Sequence, residues 1–292
     1  MFYKLRQSTE WRIFLMFLKF FLVTMLAAVM FIPFIWMVCT AFKPSSEVES
    51  FHFIPKMAQP ENIAVVLRLM KDPFSHKYLN VNLLKWVFNS IFIASWVTAL
   101  QVTTSSLAAF AFSRIQWKGR DKVFILYLST MMIPAMVLTI PRFQVMVSMN
   151  LVNCYAGLII PMAFSAFGTF MLRQFMLGIP LSYDEAAEID GANWQQIYLD
   201  VILPLAKPGL ITLAIFTFLA NYKNLLWALV MVKSEHLRTV PIGLLSFQGQ
   251  YANQTEYMMA AALICILPLI ILFVFMQKKL IRGINIGGGV KG

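Results

Sequence analysis

Residues 185–193 read Glu-Ala-Ala-Glu-Ile-Asp-Gly-Ala-Asn, and with Ile202-Leu203-Pro204 they form a polar island in an otherwise apolar chain. The island follows Pro180, and Ser182 and Glu185 have the spacing of a capping box, so we expect Ser182 to be the N-cap of a short helix. Gly191 predicts the end of that helix, because glycine readily adopts the left-handed conformation that follows many helices. The stretch therefore begins with a short acidic helix.

A second helix is predicted directly after the first. Asn193 and Gln196 again have capping-box spacing, and apolar residues recur at helical spacing from Trp194 to Leu205, so one face is apolar. A helix pair lying on the bilayer surface would carry lysine and arginine on its polar face. This pair instead carries four acids, which also disfavour binding to nucleic-acid phosphates: Glu185, Glu188, Asp190 and Asp200. Its shape suits docking into a cleft of another protein.

The composition is that of a polytopic membrane protein. Of 292 residues, 60% are hydrophobic and 13% are charged, and the mean hydropathy is +0.72. The net charge of +11 does not indicate nucleic-acid binding, because the basic residues cluster at the ends of apolar runs, where they determine topology. The three cysteines and three histidines form no CxxC or other metal motif, so we predict no metal site and no catalytic residues.

Six apolar runs predict an all-α membrane protein with six transmembrane helices, at about 13–42, 88–112, 123–141, 155–172, 208–232 and 257–277. The first run is too long for a signal peptide and lacks a small-residue cleavage site. Four prolines make residues 43–86 a loop. The acidic helix pair, at about 182–203, lies between helices 4 and 5. We expect residues 1–292 to form one transmembrane domain.

The distribution of basic residues predicts the orientation of the chain. An even number of spans places both termini on one side of the membrane. With the termini inside, the short inner segments hold many more bases than the short outer ones, as the positive-inside rule requires. We therefore expect both termini, and the acidic helix pair, to be cytoplasmic.

The stretch from Glu185 to Pro204 closely resembles the EAA-Gly-Ile-x-Leu-Pro loop of ABC importer permeases. Asp190-Gly191-Ala192 and the terminal Gly289-Val290-Lys291-Gly292 are similar to the carbohydrate-uptake branch of that family. The resemblance implies a membrane subunit of a binding-protein-dependent sugar or oligosaccharide importer. It further implies that the helix pair couples to a cytoplasmic ATPase through Glu185, Ala186, Ala187, Glu188, Asp190, Gly191 and Ala192, and that residues Gly289, Val290, Lys291 and Gly292 enter the ATPase interface.

The resemblance also implies partners: a second, non-identical permease, two copies of the ATPase, an extracytoplasmic solute-binding protein and a carbohydrate substrate, all at a prokaryotic cytoplasmic membrane. The chain has no GxxxxGK[ST] motif, so ATP and magnesium are expected to bind the ATPase and not this chain, which is not an enzyme. A loop between spans 5 and 6 is similar to one that contacts the binding protein, through Gln248, Gly249, Gln250 and Tyr251. A plain connector is the alternative.

Two basic residues are candidates for the substrate path. Lys223 lies inside the fifth predicted span, where a charge is costly unless it faces water or a partner, and Arg142 follows the third. Two bases along one path would favour an acidic oligosaccharide, such as one built from uronic acids. Alternatively, Lys223 pairs with an acid of the sister permease or extends towards the membrane surface.

Two other classes of function are alternatives to an ATP-driven importer. Secondary transporters that use an ion gradient usually keep acids inside the helix bundle, and none of the six predicted runs contains Asp or Glu. The remaining alternative is a membrane scaffold that recruits an ATPase without transporting anything. Dependence of uptake on ATP hydrolysis would separate these classes.

Overall fold

A computed structural model of the chain describes residues 9–50, 52–73 and 75–288, with the side chains of residues 9–10 and 278–288 left out. It confirms the all-α fold class, since these residues contain no β-strand. The helices, in chain order, are α1 (Thr9–Ala41), α2 (Glu61–Val66), α3 (Leu83–Ser113), α4 (Arg120–Ser129), α5 (Thr139–Ser148), α6 (Tyr155–Ile159), α7 (Ala166–Leu177), α8 (Ser182–Ile189), α9 (Trp194–Leu205), α10 (Lys207–Tyr222), α11 (Leu225–Met231), α12 (Val240–Gln250) and α13 (Thr255–Gly288).

The chain divides into two compact units, and the larger comprises Asn82–Ser246 with Cys265–Gly292. Its centre is α3, which packs against α7 and α10. A Cβ atom on Gly168 of α7 would lie 2.6 Å from the Ser105 hydroxyl of α3, so only glycine permits this close approach. The core lies in two clusters of buried side chains, one around Ala109, Leu172, Ile197 and Leu213 and the other around Val97, Leu158, Trp227 and Met231.

Three helical segments are long and apolar enough to cross a membrane: Trp11–Ala41, Leu83–Ser113 and Thr255–Gln277. Two bent pairs pass the same test, namely Tyr155–Met162 with Ala166–Leu177, bent by 44°, and Trp194–Leu205 with Lys207–Tyr222, bent by 74°. A count of six spans is therefore not established among the described residues. The predicted fifth span is interrupted, because α10 ends at Tyr222 and α11 begins at Leu225.

The predicted third span, 123–141, is not a continuous helix. Helix α4 ends at Ser129, a 3₁₀ turn follows at Thr130–Met132, and α5 begins only at Thr139. Pro134 explains the break, because proline disfavours helical backbone in the preceding residue, and Ile133 is extended with ψ of 119°. Composition alone concealed this interruption, since the whole run is apolar.

The smaller unit comprises Met1–Val81 with Phe247–Ile264. Most side chains of α1 are exposed along its length. The predicted loop after α1 contains the short helix α2 and is held by hydrogen bonds. The Asn62 amide donates to the carbonyls of Ala41 and Lys43, and the Tyr257 hydroxyl donates to Asp72 at 3.0 Å. Buried hydrogen bonds therefore hold this segment at two points, Asn62 and Asp72.

Candidate functional site

The acidic stretch forms two helices, α8 and α9, which we call the helix pair. Gly191 connects them with φ of +83°, the left-handed conformation that the sequence predicts. The second predicted capping box is confirmed, because Asn193 Oδ1 accepts from the amides of Gln195 and Gln196 while Gln196 Oε1 accepts from the Asn193 amide. A glycine hinge and a capping box thus define the bend of the pair.

The first predicted capping box is wrong. Helix α8 begins at Ser182 itself, and its N-cap, Leu181, makes no side-chain capping bond. The amides of Asp184 and Glu185 instead donate to the Leu181 carbonyl, at 2.9 and 3.0 Å. Backbone acceptors satisfy the first turn, so no Ser182 cap is required and the Asp184 carboxylate is free to make a tertiary contact.

That tertiary contact is a buried ion pair with Arg114. Arg114 Nε lies 3.3 Å from Asp184 Oδ2, and the side chains are 2% and 9% exposed. Arg114 Nη2 also donates to the carbonyls of Met176 and Ile179, each at 2.9 Å, near the end of α7. The Arg114 guanidinium therefore joins the end of α3, the end of α7 and the first turn of α8. The sequence had indicated only that Arg114 is one of the basic residues that determine topology.

Burying the Arg114–Asp184 ion pair removes both charges from water, and this desolvation costs free energy. Burial raises the pKa of the Asp184 carboxyl, Arg114 lowers it, and the nearby carboxylates of Glu188 and Glu185 raise it again, with a net increase. Neither Asp184 oxygen has a hydrogen-bond partner among the described residues, so charge alone holds the carboxylate in place. Removing either partner would leave an uncompensated charge in the interior, which is more costly than keeping the pair.

The helix pair has an exposed face that carries acidic side chains and a half-buried face that carries small side chains. Glu185, Glu188 and Asp190 are exposed, and Ile189 beside them is 88% exposed. Ala187 and Ala192 are half-buried and pack on the cluster around Leu172. The predicted coupling residues thus lie together, with the acids available to a partner and two of the small residues turned towards the core.

Helix α9 contains an irregular segment. Ile197–Ile202 is π-helical, and within it Ile197 and Ile202 are buried in the cluster around Leu172. The Tyr198 hydroxyl donates to Ser106 Oγ at 2.9 Å, and its ring lies 5.0 Å from that of Phe110. The π-helix therefore attaches the helix pair to the last third of α3, in addition to the ion pair with Arg114 just beyond its end.

The two substrate-path candidates flank the start of α11. Lys223 is exposed at the break between α10 and α11, and it has no hydrogen-bond or ion-pair partner among the described residues. The Arg142 guanidinium lies 5.6 Å from the ring centre of Trp227 in α11, with no acid beside it. A cavity of about 20 Å³ at the break is lined in part by Asn221, Asn224 and Trp227. Both cations thus border one polar interruption.

The predicted binding-protein contact residues have a different local structure from the one expected. Three of the four lie in the last turn of α12, which runs to Gln250, and Tyr251 follows the helix. Gln248, Gly249 and Gln250 are exposed, while the Tyr251 hydroxyl accepts from the Asn80 amide at 3.0 Å. The predicted tail, Gly289 to Gly292, lies outside the described residues. No group of acids, histidines or cysteines within the described residues could hold a metal ion.

Comparisons with known proteins identify the family of the chain. A family model described as a binding-protein-dependent transport system inner membrane component matches residues 101–286. The arabinooligosaccharides transport system permease protein AraQ of Halalkalibacterium halodurans is 33% identical over 261 residues, which are 89% of this chain and 91% of that protein. The trehalose/maltose transport system permease protein MalG of Thermococcus litoralis is 33% identical over 273 residues, 92% and 94% of the two chains.

A solved structure shares the fold. It is the crystal structure of a bacterial ABC transporter involved in the import of the acidic polysaccharide alginate, with a TM-score of 0.78 and 24% sequence identity. The match covers 93% of this chain and 98% of the chain in that structure. At this identity the similarity shows the architecture of the chain.

Proposed function

The chain belongs to the family of binding-protein-dependent transport system inner membrane components, and from this membership we propose that it is the transmembrane subunit of an ATP-driven importer of sugars or oligosaccharides. It is a multi-pass inner-membrane protein and a transport subunit rather than an enzyme. The relatives named above transport arabinooligosaccharides and trehalose or maltose, which supports a carbohydrate substrate.

The observation that carries the coupling role is the construction of the helix pair. Its acidic face, with Glu185 and Glu188, is exposed, while its base is fixed to α3 through Asp184 and Tyr198. A partner that grips the acidic face would move α3, because two separate attachments transmit the displacement. In this proposal ATP binding closes two ATPase subunits, the helix pair follows as a lever, and the bundle changes from inward-facing to outward-facing.

The importer would contain a second, non-identical permease, two ATPase copies and an extracytoplasmic binding protein. One chain supplies one helix pair, whereas a dimer of ATPases offers two clefts. The proposed orientation has both termini in the cytoplasm, and the exposed bases Lys118 and Lys122 beside the end of α3 support it. On the outer side, the exposed Gln248, Gly249 and Gln250, with Tyr251, would contact the binding protein.

Purification and reconstitution test this assignment together. The complex isolated through this chain should contain a second permease and the ATPase, and vesicles holding it should take up oligosaccharide only with ATP and the binding protein. A proton gradient without ATP should drive no uptake, because the six apolar runs predicted from the sequence contain no Asp or Glu that could relay protons. Uptake driven by the gradient alone would identify a secondary transporter, and ATP hydrolysis without uptake would identify a scaffold.

We also propose that the substrate path favours acidic oligosaccharides. Lys223 lies at a break in the backbone, and non-helical backbone at membrane depth is tolerated only where it is buried in protein or lines an aqueous cavity. Arg142, stacked on Trp227, adds a second cation near the same interruption, and no described acid neutralises either one. The fold itself accommodates such a substrate, because its structural neighbour is part of an alginate importer.

The Lys223→Gln substitution should lower the uptake of a uronic-acid oligosaccharide and leave a neutral oligosaccharide unaffected, because it removes a positive charge without changing the length of the side chain much. Competition between labelled acidic and neutral sugars in reconstituted vesicles measures this. Lys207→Gln, at the opposite end of α10 and also exposed, is the matched control. Unchanged uptake of both sugars, or transport of neutral sugars alone, would contradict an acidic substrate. An equal loss for both sugars would indicate that Lys223 instead pairs with an acid of the sister permease.

A further inference from the structure

A groove between α3, α4 and α7 has no role in the function proposed above. Its volume is about 300 Å³, and its walls include Thr104, Ala108 and Phe112 of α3, Tyr127 of α4 and Thr169 of α7. The three α3 residues are spaced four apart, so they form one stripe, and at 1.5 Å per residue the stripe is about 12 Å long. The groove therefore runs along α3 for about 12 Å.

The walls of the groove present carbon rather than free polar groups. Thr104 Oγ1 donates to the Ala163 carbonyl at 2.7 Å, and Thr169 Oγ1 donates to the Ser165 carbonyl at 3.0 Å. The Tyr127 hydroxyl lies 3.4 Å from Thr169 Oγ1. Because each hydroxyl has a partner within the protein, an occupant would meet methyl groups and aromatic rings. An apolar chain fits such a surface better than a sugar does.

One end of the groove lies at the edge of the membrane. Phe112 is the last but one residue of α3, a segment that is apolar enough to span the bilayer. Trp117 follows it, half-exposed, with its ring 6.0 Å from that of Phe112. Tryptophan favours the level of the lipid headgroups. The groove thus starts at the headgroup level and extends over less than half of the roughly 30 Å hydrocarbon core, which is the depth of one leaflet.

The same end is strongly basic. Lys118 and Lys122 are exposed, and neither has a hydrogen-bond or ion-pair partner among the described residues. Arg120 and Arg173 share a single acid, Asp121, at 3.3 and 3.2 Å. In addition, α4 begins here, and the positive end of its helix dipole favours an anion, with Asp121 as the one acid in its first turn. A negative group at the mouth of the groove would therefore be stabilised by several positive ones.

We propose that this groove binds one acyl chain of an anionic phospholipid, with the lipid phosphate between Lys118 and Lys122. The site rests on the proposed orientation, which assigns the lipid to the cytoplasmic leaflet. Three features together favour such a lipid: the apolar walls, the depth suited to one leaflet and the basic mouth. A helix of the sister permease is the competing occupant, and it would need no anionic group.

Native mass spectrometry of the intact complex tests the site, with phosphatidylglycerol and phosphatidylcholine of identical chains supplied in turn. The wild-type complex should retain phosphatidylglycerol selectively. The Lys118→Gln/Lys122→Gln variant should bind it about tenfold or more weakly, given the usual contribution of each basic residue. Ala108→Leu, which fills the groove, should lower the retention of both lipids.

Matched controls keep the result specific. Ala111→Leu is half-buried on α3 but outside the groove, and Lys207→Gln/Lys233→Gln removes two exposed charges elsewhere. Both controls should retain phosphatidylglycerol like the wild type. Equal retention by all variants, or equal retention of the two lipids, would overturn the proposal. ATP-driven uptake, measured on the same preparation, is a separate readout, so failure of the proposed transport function would be recognised independently.

Discussion

The Gly191→Pro variant is expected to reach the membrane at normal levels, assemble with its partners and import no oligosaccharide. Gly191 has φ of +83°, whereas proline is restricted to φ near −65°, so the bend between α8 and α9 cannot persist. No atom lies within 4 Å of a Cβ built at this position, so the effect comes from the backbone, where proline restricts φ and removes the hydrogen bond from the Gly191 amide to the Glu188 carbonyl at 3.0 Å. Uptake and stimulated ATPase activity of the reconstituted complex measure the loss.

Two further variants separate the geometry of the bend from its surface chemistry. Gly191→Asn should retain most uptake, because asparagine tolerates the left-handed conformation. Glu185→Lys reverses an exposed charge on the face offered to the ATPase and should also abolish uptake. Glu61→Lys makes the same change in the first turn of α2, where Glu61 is likewise exposed, and should be silent. Normal uptake with a normally stimulated ATPase in Gly191→Pro or Glu185→Lys would refute the lever assignment.

The Asp184→Asn and Arg114→Lys variants are expected to destabilise the chain and uncouple ATP hydrolysis from transport. Asp184→Asn leaves the buried guanidinium without its counter-charge, which typically costs about 3–5 kcal/mol. Arg114→Lys keeps the charge but loses the planar fork that reaches Asp184 and two backbone carbonyls together. Thermal unfolding of the purified complex measures the stability, and the ratio of ATP hydrolysed to sugar imported measures the coupling.

A double-mutant cycle provides the control for this prediction. The cycle compares Arg114→Gln, Asp184→Asn and their combination, which removes both buried charges while keeping amides that can donate hydrogen bonds. The double variant should therefore be more stable than the sum of the single losses predicts, because the residues are in contact. Strictly additive losses would show that the two side chains act independently. Tight coupling retained in every assembled variant would show that the ion pair stabilises the fold without transmitting motion.

Local chemistry made part of the site predictable from the sequence. Gly191 and the Asn193–Gln196 capping box depend on neighbours within four residues, and both were correctly identified. Ser182 has the same local signature, yet the carbonyl of Leu181 satisfies the first turn of α8 instead. A capping pattern shows that a side chain is able to cap, but the preceding backbone decides whether it does.

Contacts distant in sequence were the main omission. Arg114 follows an apolar run, as membrane-topology bases do, and its pairing with Asp184 depends on how α3 and α8 pack. The sequence contained a weak signal for this contact. Asp184 lies three residues before Ala187, so both residues share one face of α8, and the small Ala187 side chain suggests that this face packs against the protein. The interruptions at Pro134 and Lys223 were similarly concealed, since hydropathy averages over a window and does not register a broken backbone.

The π-helix in α9 has a consequence for comparing this chain with its relatives. A π-turn closes its hydrogen bond across five residues, where an α-turn uses four, so the segment Ile197–Ile202 accommodates one more residue than a regular helix of the same length. A homologue that lacks the π-turn is one residue shorter between Asn193 and Pro204. An ungapped alignment anchored on Pro204 then aligns Gly191 and every residue of the acidic helix α8 with a position of the homologue that is shifted by one. The gap must therefore be placed inside α9.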